Sequence, residues 1–145
     1  MVNTHMGQPP SNHVTLETIG SGSSTGDPKE DLDFVRIKPD GHIASGGPFR
    51  VPANKVFVVT DVDWQYGGGG QPQGTQTFRI FIRGNDIPRV FESTIILNDS
   101  GEGGISEVMT SGFVVSSAGR IVVDAFPCGG QIQHVVIRGY LCRDS

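Results

Sequence analysis

Apolar and polar side chains alternate along several short stretches of the chain, and residues 77–83 show the pattern most clearly. One side of this segment, if extended, carries Phe78, Ile80 and Ile82, and the other carries Thr77, Arg79, Phe81 and Arg83. Successive side chains of a strand point to opposite faces of a sheet. The alternation therefore predicts a β-strand that turns one face to a core and the other to solvent.

Comparable segments occur at short intervals along the rest of the chain, and residues that form turns separate them. The predicted strands cover residues 13–19, 34–37, 55–66, 77–83, 89–97, 113–115, 121–126 and 132–141. The glycine-rich segment 67–74 and the polar segment 98–104 are predicted loops. This spacing is typical of sandwiches and barrels, and no amphipathic helix is predicted. We therefore expect an all-β fold, an antiparallel β-sandwich of the jelly-roll type with eight to nine strands.

Length and composition fit one domain of this kind. The chain has 145 residues with 21 Gly, 9 Pro and only 18% charged residues, a balance that favours short strands joined by tight turns. Residues 1–30 are polar and rich in turn-forming residues, and we expect an N-terminal arm there that carries one edge strand. Residues 31–145 are expected to form the single β-sandwich domain.

The formal net charge of −4 argues against nucleic acid as a partner, because binding to phosphates depends on Lys and Arg. No run approaches the roughly 18 apolar residues of a membrane-spanning helix, so membrane insertion is not expected. Residues 1–11 lack the apolar stretch of a secretory signal. Residues 1–6 resemble a cloning junction, and the removal of a natural signal peptide stays open.

Residues 48–62, 117–123 and 135–141 resemble small bacterial jelly-roll proteins of undefined function. The closing Gly139-Tyr140-Leu141 is similar to the last strand of the complement-component and tumour-necrosis-factor-like jelly rolls. The resemblance covers residues 33–141 in pattern. It implies the jelly-roll fold, assembly as a compact trimer and recognition of ligands on the outer surface, and it implies no catalytic chemistry.

The residues that could carry catalysis are scattered. No two of the four histidines, His5, His13, His42 and His134, lie two to five residues apart, which argues against the metal site of many jelly-roll cupins. No Gly-x-Ser-x-Gly elbow occurs. Thiol catalysis by Cys128 with His134 is an alternative to the favoured interpretation, a turn cysteine and a strand histidine. We therefore expect that the protein is not an enzyme.

The two cysteines, Cys128 and Cys142, flank the last predicted strand. The extended residues between them, at roughly 3.3 Å each, hold them beyond disulfide reach unless the chain folds back. Unpaired thiols are the favoured interpretation.

Asp61 and Asp63 lie two residues apart on the predicted strand 55–66, so both carboxylates project from one face. Paired carboxylates fit glycoside hydrolysis or calcium binding. The favoured interpretation is cross-strand pairing with Arg79 and Arg83, which share a face of the following strand.

Trp64 and Tyr66 precede the glycine-rich loop and could form an aromatic platform for a sugar ring. Alternation places them on the face of Val56, Val58 and Val62. This favours a core position for Trp64 and leaves Tyr66 as the better binding candidate.

Asp99 and Glu102 lie among glycines in loop 98–104 and are candidate calcium ligands, although the loop lacks the five or more spaced oxygen ligands of a defined motif. No other cofactor is expected. The leading hypothesis is a structural or recognition module that forms a homo-oligomer, a trimer, at a cell surface, in a secreted assembly or in a virion. Its ligand would be a glycan or a protein. The alternative is a carbohydrate-binding module in which Tyr66, the glycine-rich loop and Asp61 or Asp63 hold a sugar, with or without calcium.

Overall fold

The computed structural model describes residues 10–18, 22–23, 32–127 and 130–145. Several sequence predictions lie outside the described residues: those on residues 1–6, His5 and Cys128, and the last residue of the first predicted strand, Ile19. Within the described ranges, no helix has the length and apolar character needed to cross a membrane.

Nine strands make up the described fold, after a single 3-10 turn at Pro10–Asn12. They are β1 His13–Thr18, β2 Gly22–Ser23, β3 Phe34–Ile37, β4 Lys55–Gly67, β5 Thr75–Arg83, β6 Arg89–Ile96, β7 Gly103–Ser116, β8 Arg120–Phe126 and β9 Gln131–Arg143. The predicted all-β class and strand number are confirmed.

The strands form two sheets in which every described pairing is antiparallel. The larger sheet has the order β3-β1-β9-β4-β7, with the two-residue β2 also paired to β9, and the smaller sheet has the order β6-β5-β8. β4 and β9 therefore lie at the centre of the larger sheet, and β7 forms one of its edges.

The core lies where the inward faces of the two sheets meet. Trp64 of β4 stacks on Phe78 of β5, with ring centroids 5.1 Å apart and planes inclined by 17°. Phe78 in turn meets Phe91 of β6 edge to face at 6.3 Å. Phe78 and Ile80 are fully buried, as the alternation in residues 77–83 predicts. Because aromatic rings from both sheets interlock, the two layers are held in one fixed arrangement.

A β-bulge at Thr60 divides β4 into two halves with opposite alternation. Val59 pairs with Gly139 of β9, and Asp61 pairs with Arg138, the residue before Gly139. Thr60 is therefore an extra residue on β4 that has no partner in the register with β9. Side chains 57 and 59 point inward before the bulge, and 62, 64 and 66 point inward after it. The prediction that Val56 and Val58 share a face with Trp64 is therefore wrong.

Two further differences concern the edges of the larger sheet. β1 lies between β3 and β9, so the predicted edge strand in residues 13–19 is an interior strand. β7 begins at Gly103, whereas the sequence predicts a strand only at 113–115 and a loop that extends to 104. Most side chains in the first half of β7 are polar or exposed, because this strand lies at an edge and its outer half packs little against the core.

Candidate functional site

The outward face of the larger sheet is polar near the end where β4 reaches the glycine-rich loop. Residues paired across neighbouring strands point to the same side of a sheet. Gln65 of β4 pairs with Gly104 of β7 and with His134 of β9. Asp63 forms the next row, where it pairs with Ser106 of β7.

These rows border an open cavity of about 750 Å³, which we call the polar depression. It lies between β4, β7 and the residues that lead into β7. Its lining is formed by Asp63, Trp64, Gln65, Tyr66, Gly67, Asn98, Glu102, Gly103, Gly104, Ile105, Ser106 and Gln133.

The carboxylate of Asp63 is held in place by two neighbouring strands. The Ser106 hydroxyl donates a hydrogen bond to it from β7. The guanidinium of Arg138 on β9 donates a second hydrogen bond, with 2.5 Å between Nη1 and Oδ2. The Ser106 hydrogen bond is the largest cause that lowers the pKa of Asp63 below its ordinary value of 3.8, and Arg138 lowers it further although partial burial opposes them. Asp63 is therefore a fixed hydrogen-bond acceptor at the rim of the depression.

Gly67 forms part of the floor of the polar depression. A Cβ atom at this position would lie 3.2 Å from Nε2 of Gln133 and 3.3 Å from Cγ of Glu102. An added methyl group would therefore be crowded between the side chains of Gln133 on β9 and Glu102 on the loop before β7. Because Gly103 and Gly104 also line the depression, backbone forms much of its surface.

The loop before β7 is organised by Asn98. The side-chain Oδ1 of Asn98 accepts hydrogen bonds from the backbone N–H groups of Ser100 and Glu102, both at 2.9 Å. Such a turn around one amide oxygen fixes the chain that carries Glu102 toward the depression.

The two candidate calcium ligands have separate surroundings. Asp99 accepts a hydrogen bond of 2.6 Å from the side-chain Nε2 of Gln73, whereas Glu102 lines the polar depression. Across the described ranges, no group of three or more His, Cys, Asp or Glu side chains is arranged to hold a metal ion.

The candidate aromatic platform belongs to the core. Trp64 is 1% exposed, and its indole Nε1–H donates to the Ser93 hydroxyl oxygen at 3.0 Å. Tyr66 is 2% exposed, and its hydroxyl oxygen accepts a hydrogen bond of 2.8 Å from the backbone N–H of Gly130. Neither ring face is open to solvent, so neither can stack on a sugar ring as the sequence suggests for Tyr66.

The predicted pairing of Asp61 and Asp63 with Arg79 and Arg83 does not match the strand order. Both arginines lie on β5, which belongs to the smaller sheet, whereas the aspartates lie on β4. Arg138 of β9 is the residue that meets Asp63, and it also pairs in register with Asp61.

Of the two residues considered for thiol catalysis, Cys128 and His134, the described ranges contain His134. Nε2 of His134 forms a short hydrogen bond with the Glu17 carboxylate of β1. Cys142 is a partly buried free thiol near the end of β9. The prediction that Cys128 is also an unpaired thiol lies outside the described residues.

The other half of the same outward face carries a row of apolar side chains. Val58 of β4 pairs with Val114 of β7 and with Tyr140 of β9, and we call these three residues the apolar row. Val114 is 52% exposed, and Val108 of β7, which lies nearer the polar half, is 81% exposed. An outward face with paired apolar side chains is unusual for a surface that meets only water.

Sequence reasoning missed Gln65, Ser106 and Gln133 as site residues. They come from three strands that are far apart in the chain, and single Gln or Ser residues carry no motif. Only the pairing of β4 with β7 and β9 brings them together.

Comparisons with known proteins support the fold. The chain is similar to a solved structure of the tumour necrosis factor Eiger from S. frugiperda, with a TM-score of 0.54 and 11% sequence identity over 92% of this chain and 96% of that one. The architecture is therefore that of a tumour-necrosis-factor-like jelly roll. No model of a known protein family matches the sequence, and no curated protein matches it.

Proposed function

We propose that the protein is a non-catalytic structural or recognition module that assembles as a homotrimer within a cell-surface, secreted or virion assembly. The observation that carries this proposal is the apolar row Val58, Val114 and Tyr140 on the outward face of the larger sheet. Exposed apolar patches on a folded domain commonly mark contacts with other proteins.

Burial of this surface would supply the driving force for assembly. Complete burial of one valine side chain contributes about 1.5–3 kcal/mol. Val114 is 52% exposed and Val108 is 81% exposed in the single chain, so assembly can add about half of this free energy at Val114 and most of it at Val108.

A second copy of the same chain fits the face by charge as well. Asp61 and Arg138 lie side by side just beyond the apolar row, so a contact repeated around a three-fold axis can place opposite charges from neighbouring copies together. The resemblance to tumour-necrosis-factor-like jelly rolls, which assemble as compact trimers, favours three copies.

The test is the mass in solution, measured by size-exclusion chromatography with light scattering at several protein concentrations. We expect a stable mass about three times the chain mass of 15.5 kDa. A monomer at every concentration would contradict the proposal.

A matched pair of variants locates the contact. Val114→Asp places a charge in the apolar row and should lower the mass to that of a monomer. Ile96→Asp makes the same kind of change at an isoleucine that is 76% exposed on the smaller sheet, and it should leave the mass unchanged. Equal effects of the two variants would exclude the apolar row as the contact.

A further inference from the structure

We propose that the polar depression binds a neutral carbohydrate through hydrogen bonds from side-chain amides and the fixed Asp63 carboxylate. This site adjoins the proposed trimer contact on the same face of the larger sheet, because Asp63 and Ser106 lie one register row from Asp61 and Val108. The apolar row lies two register rows beyond Asp63 on β4, with the Asp61 row between them.

The lining offers the hydrogen-bonding groups that vicinal hydroxyls require. A sugar hydroxyl both donates and accepts, so its best partners are groups that present a donor and an acceptor close together. The side-chain amides of Gln65 and Gln133 each have two N–H donors and a carbonyl acceptor. The carboxylates of Asp63 and Glu102 add acceptors on two sides of the cavity.

The charge of the lining selects a neutral ligand. Among the described residues that line the polar depression, none is Lys, Arg or His. A phosphate or an acidic sugar would meet the Glu102 carboxylate with no cation in the lining to compensate its charge. A strongly cationic ligand is disfavoured in turn because Arg138 already neutralises Asp63.

Part of the floor is formed by glycine backbone. Gly103 and Gly104 present partly or fully exposed backbone in the lining, whereas Gly67 is buried. A Cβ atom at Gly104 would lie 2.6 Å from the carbonyl oxygen of Trp64, so this part of the floor cannot gain a side chain without a shift of β4. A pyranose ring can therefore lie against backbone while its hydroxyls reach the amides at the rim, without an aromatic platform.

The experiment uses the whole chain on an array of neutral and acidic oligosaccharides, both with calcium and with a chelator. We expect binding to neutral oligosaccharides that persists in the chelator, and no preference for sialylated or phosphorylated ones. The neutral oligosaccharide with the strongest signal then serves as the probe for calorimetric titration.

Variants assign the binding to the polar depression. Gln65→Ala and Gln133→Ala should each weaken affinity for that oligosaccharide by about tenfold or more. Gln71→Ala removes an exposed amide from the neighbouring glycine-rich loop outside the lining, and it should leave the affinity unchanged. Size-exclusion with light scattering on all three variants should give the mass of the unmodified protein, so loss of binding is distinguished from loss of assembly.

Three results would overturn the proposal. One is an array with no neutral oligosaccharide bound. Another is binding that disappears in the chelator, which would assign recognition to a metal ion. The third is equal affinity of the Gln65→Ala, Gln133→Ala and Gln71→Ala variants, which would place the ligand elsewhere on the protein.

Discussion

The indole N–H of Trp64 donates a 3.0 Å hydrogen bond to the hydroxyl oxygen of Ser93, and this bond joins the two sheets through the core. Trp64 lies on β4 of the larger sheet and Ser93 on β6 of the smaller one, and both are buried. A buried N–H group without an acceptor lowers the stability of the fold. The Ser93 hydroxyl oxygen is the acceptor that the buried indole N–H of Trp64 uses.

Ser93→Ala should therefore destabilise the protein by about 1–3 kcal/mol, since it leaves the indole N–H buried and unpaired. The free energy of unfolding, measured by urea denaturation, checks this. Ser116→Ala changes an exposed serine and should have an effect within about 0.5 kcal/mol. A Ser93→Ala variant as stable as Ser116→Ala would show that the bond contributes nothing.

The bulge at Thr60 depends on glycine in the neighbouring strand. A Cβ atom at Gly139 would lie 1.9 Å from the carbonyl oxygen of Val58, a distance that the backbone can relieve only by moving β4 or β9. Gly139→Ala should destabilise the fold by about 3 kcal/mol or more, or abolish folding. Gly84→Ala, at a position with no atom within 4 Å of the added methyl, should change stability by less than about 0.5 kcal/mol. Thermal unfolding of both variants tests this, and equal melting temperatures would contradict it.

The hydrogen bond from Ser106 should be visible in the titration of Asp63. Because the folded-state pKa of Asp63 lies below its ordinary value of 3.8, ionised Asp63 stabilises the fold above that pH, and the contribution is lost as the pH falls through the folded-state pKa. Ser106→Ala should raise the Asp63 pKa toward its ordinary value, as followed by carboxyl carbon NMR. Ser116→Ala, on the same strand, should leave that pKa unchanged. If Asp63 has the same pKa in Ser106→Ala as in the unmodified protein, the hydrogen bond from Arg138 is the cause of the lowered pKa instead.

Asn98 should control the loop that borders the polar depression. Asn98→Ala removes the acceptor of two backbone hydrogen bonds and should lower stability by about 1–2 kcal/mol. Hydrogen exchange at the amides of Ser100 and Glu102 should become faster. Asn98→Asp keeps an acceptor oxygen at this position and should retain most of the protection. Loss of protection to the same extent in both variants would mean that the loop is held by other contacts.

Local alternation was sufficient to predict much of the smaller sheet. The inward positions of Phe78 and Ile80 follow from a period of two along β5, and this period needs no information about distant parts of the chain. The same holds for the class of the fold, because short alternating segments between turns leave few other arrangements.

Long-range pairing could not be read from the same pattern. The alternation of β4 reverses at Thr60, beside Gly139 of β9. β9 begins at Gln131, far from β4 in the sequence. Single-residue bulges leave no periodic signal of their own. The prediction that Val56 and Val58 lie on the inward face with Trp64 is therefore wrong.

The candidate site also depends on long-range strand pairing, so alternation along the chain does not predict it. Alternation predicts that Asp63 shares a face of β4 with Asp61, but its partner Arg138 depends on β9 lying beside β4. The following strand β5 was the obvious neighbour from sequence order, yet the chain crosses to the other sheet between β4 and β5. Gln133 likewise reaches Gly67 only through this pairing.

The position of β9 between β1 and β4 also governs how the protein can be made. A nascent chain that has not yet emerged beyond residue 130 can form the β1 and β3 pair and the β4 and β7 pair, but it has no strand to bridge them. The backbone N–H and C=O groups along the β9 side of β4 then stay unpaired while the chain is on the ribosome. Unpaired strand edges of this kind can bind chaperones or other chains. Completion of the larger sheet must await the thirteen residues of β9, so the sandwich can close only after this strand has been synthesised.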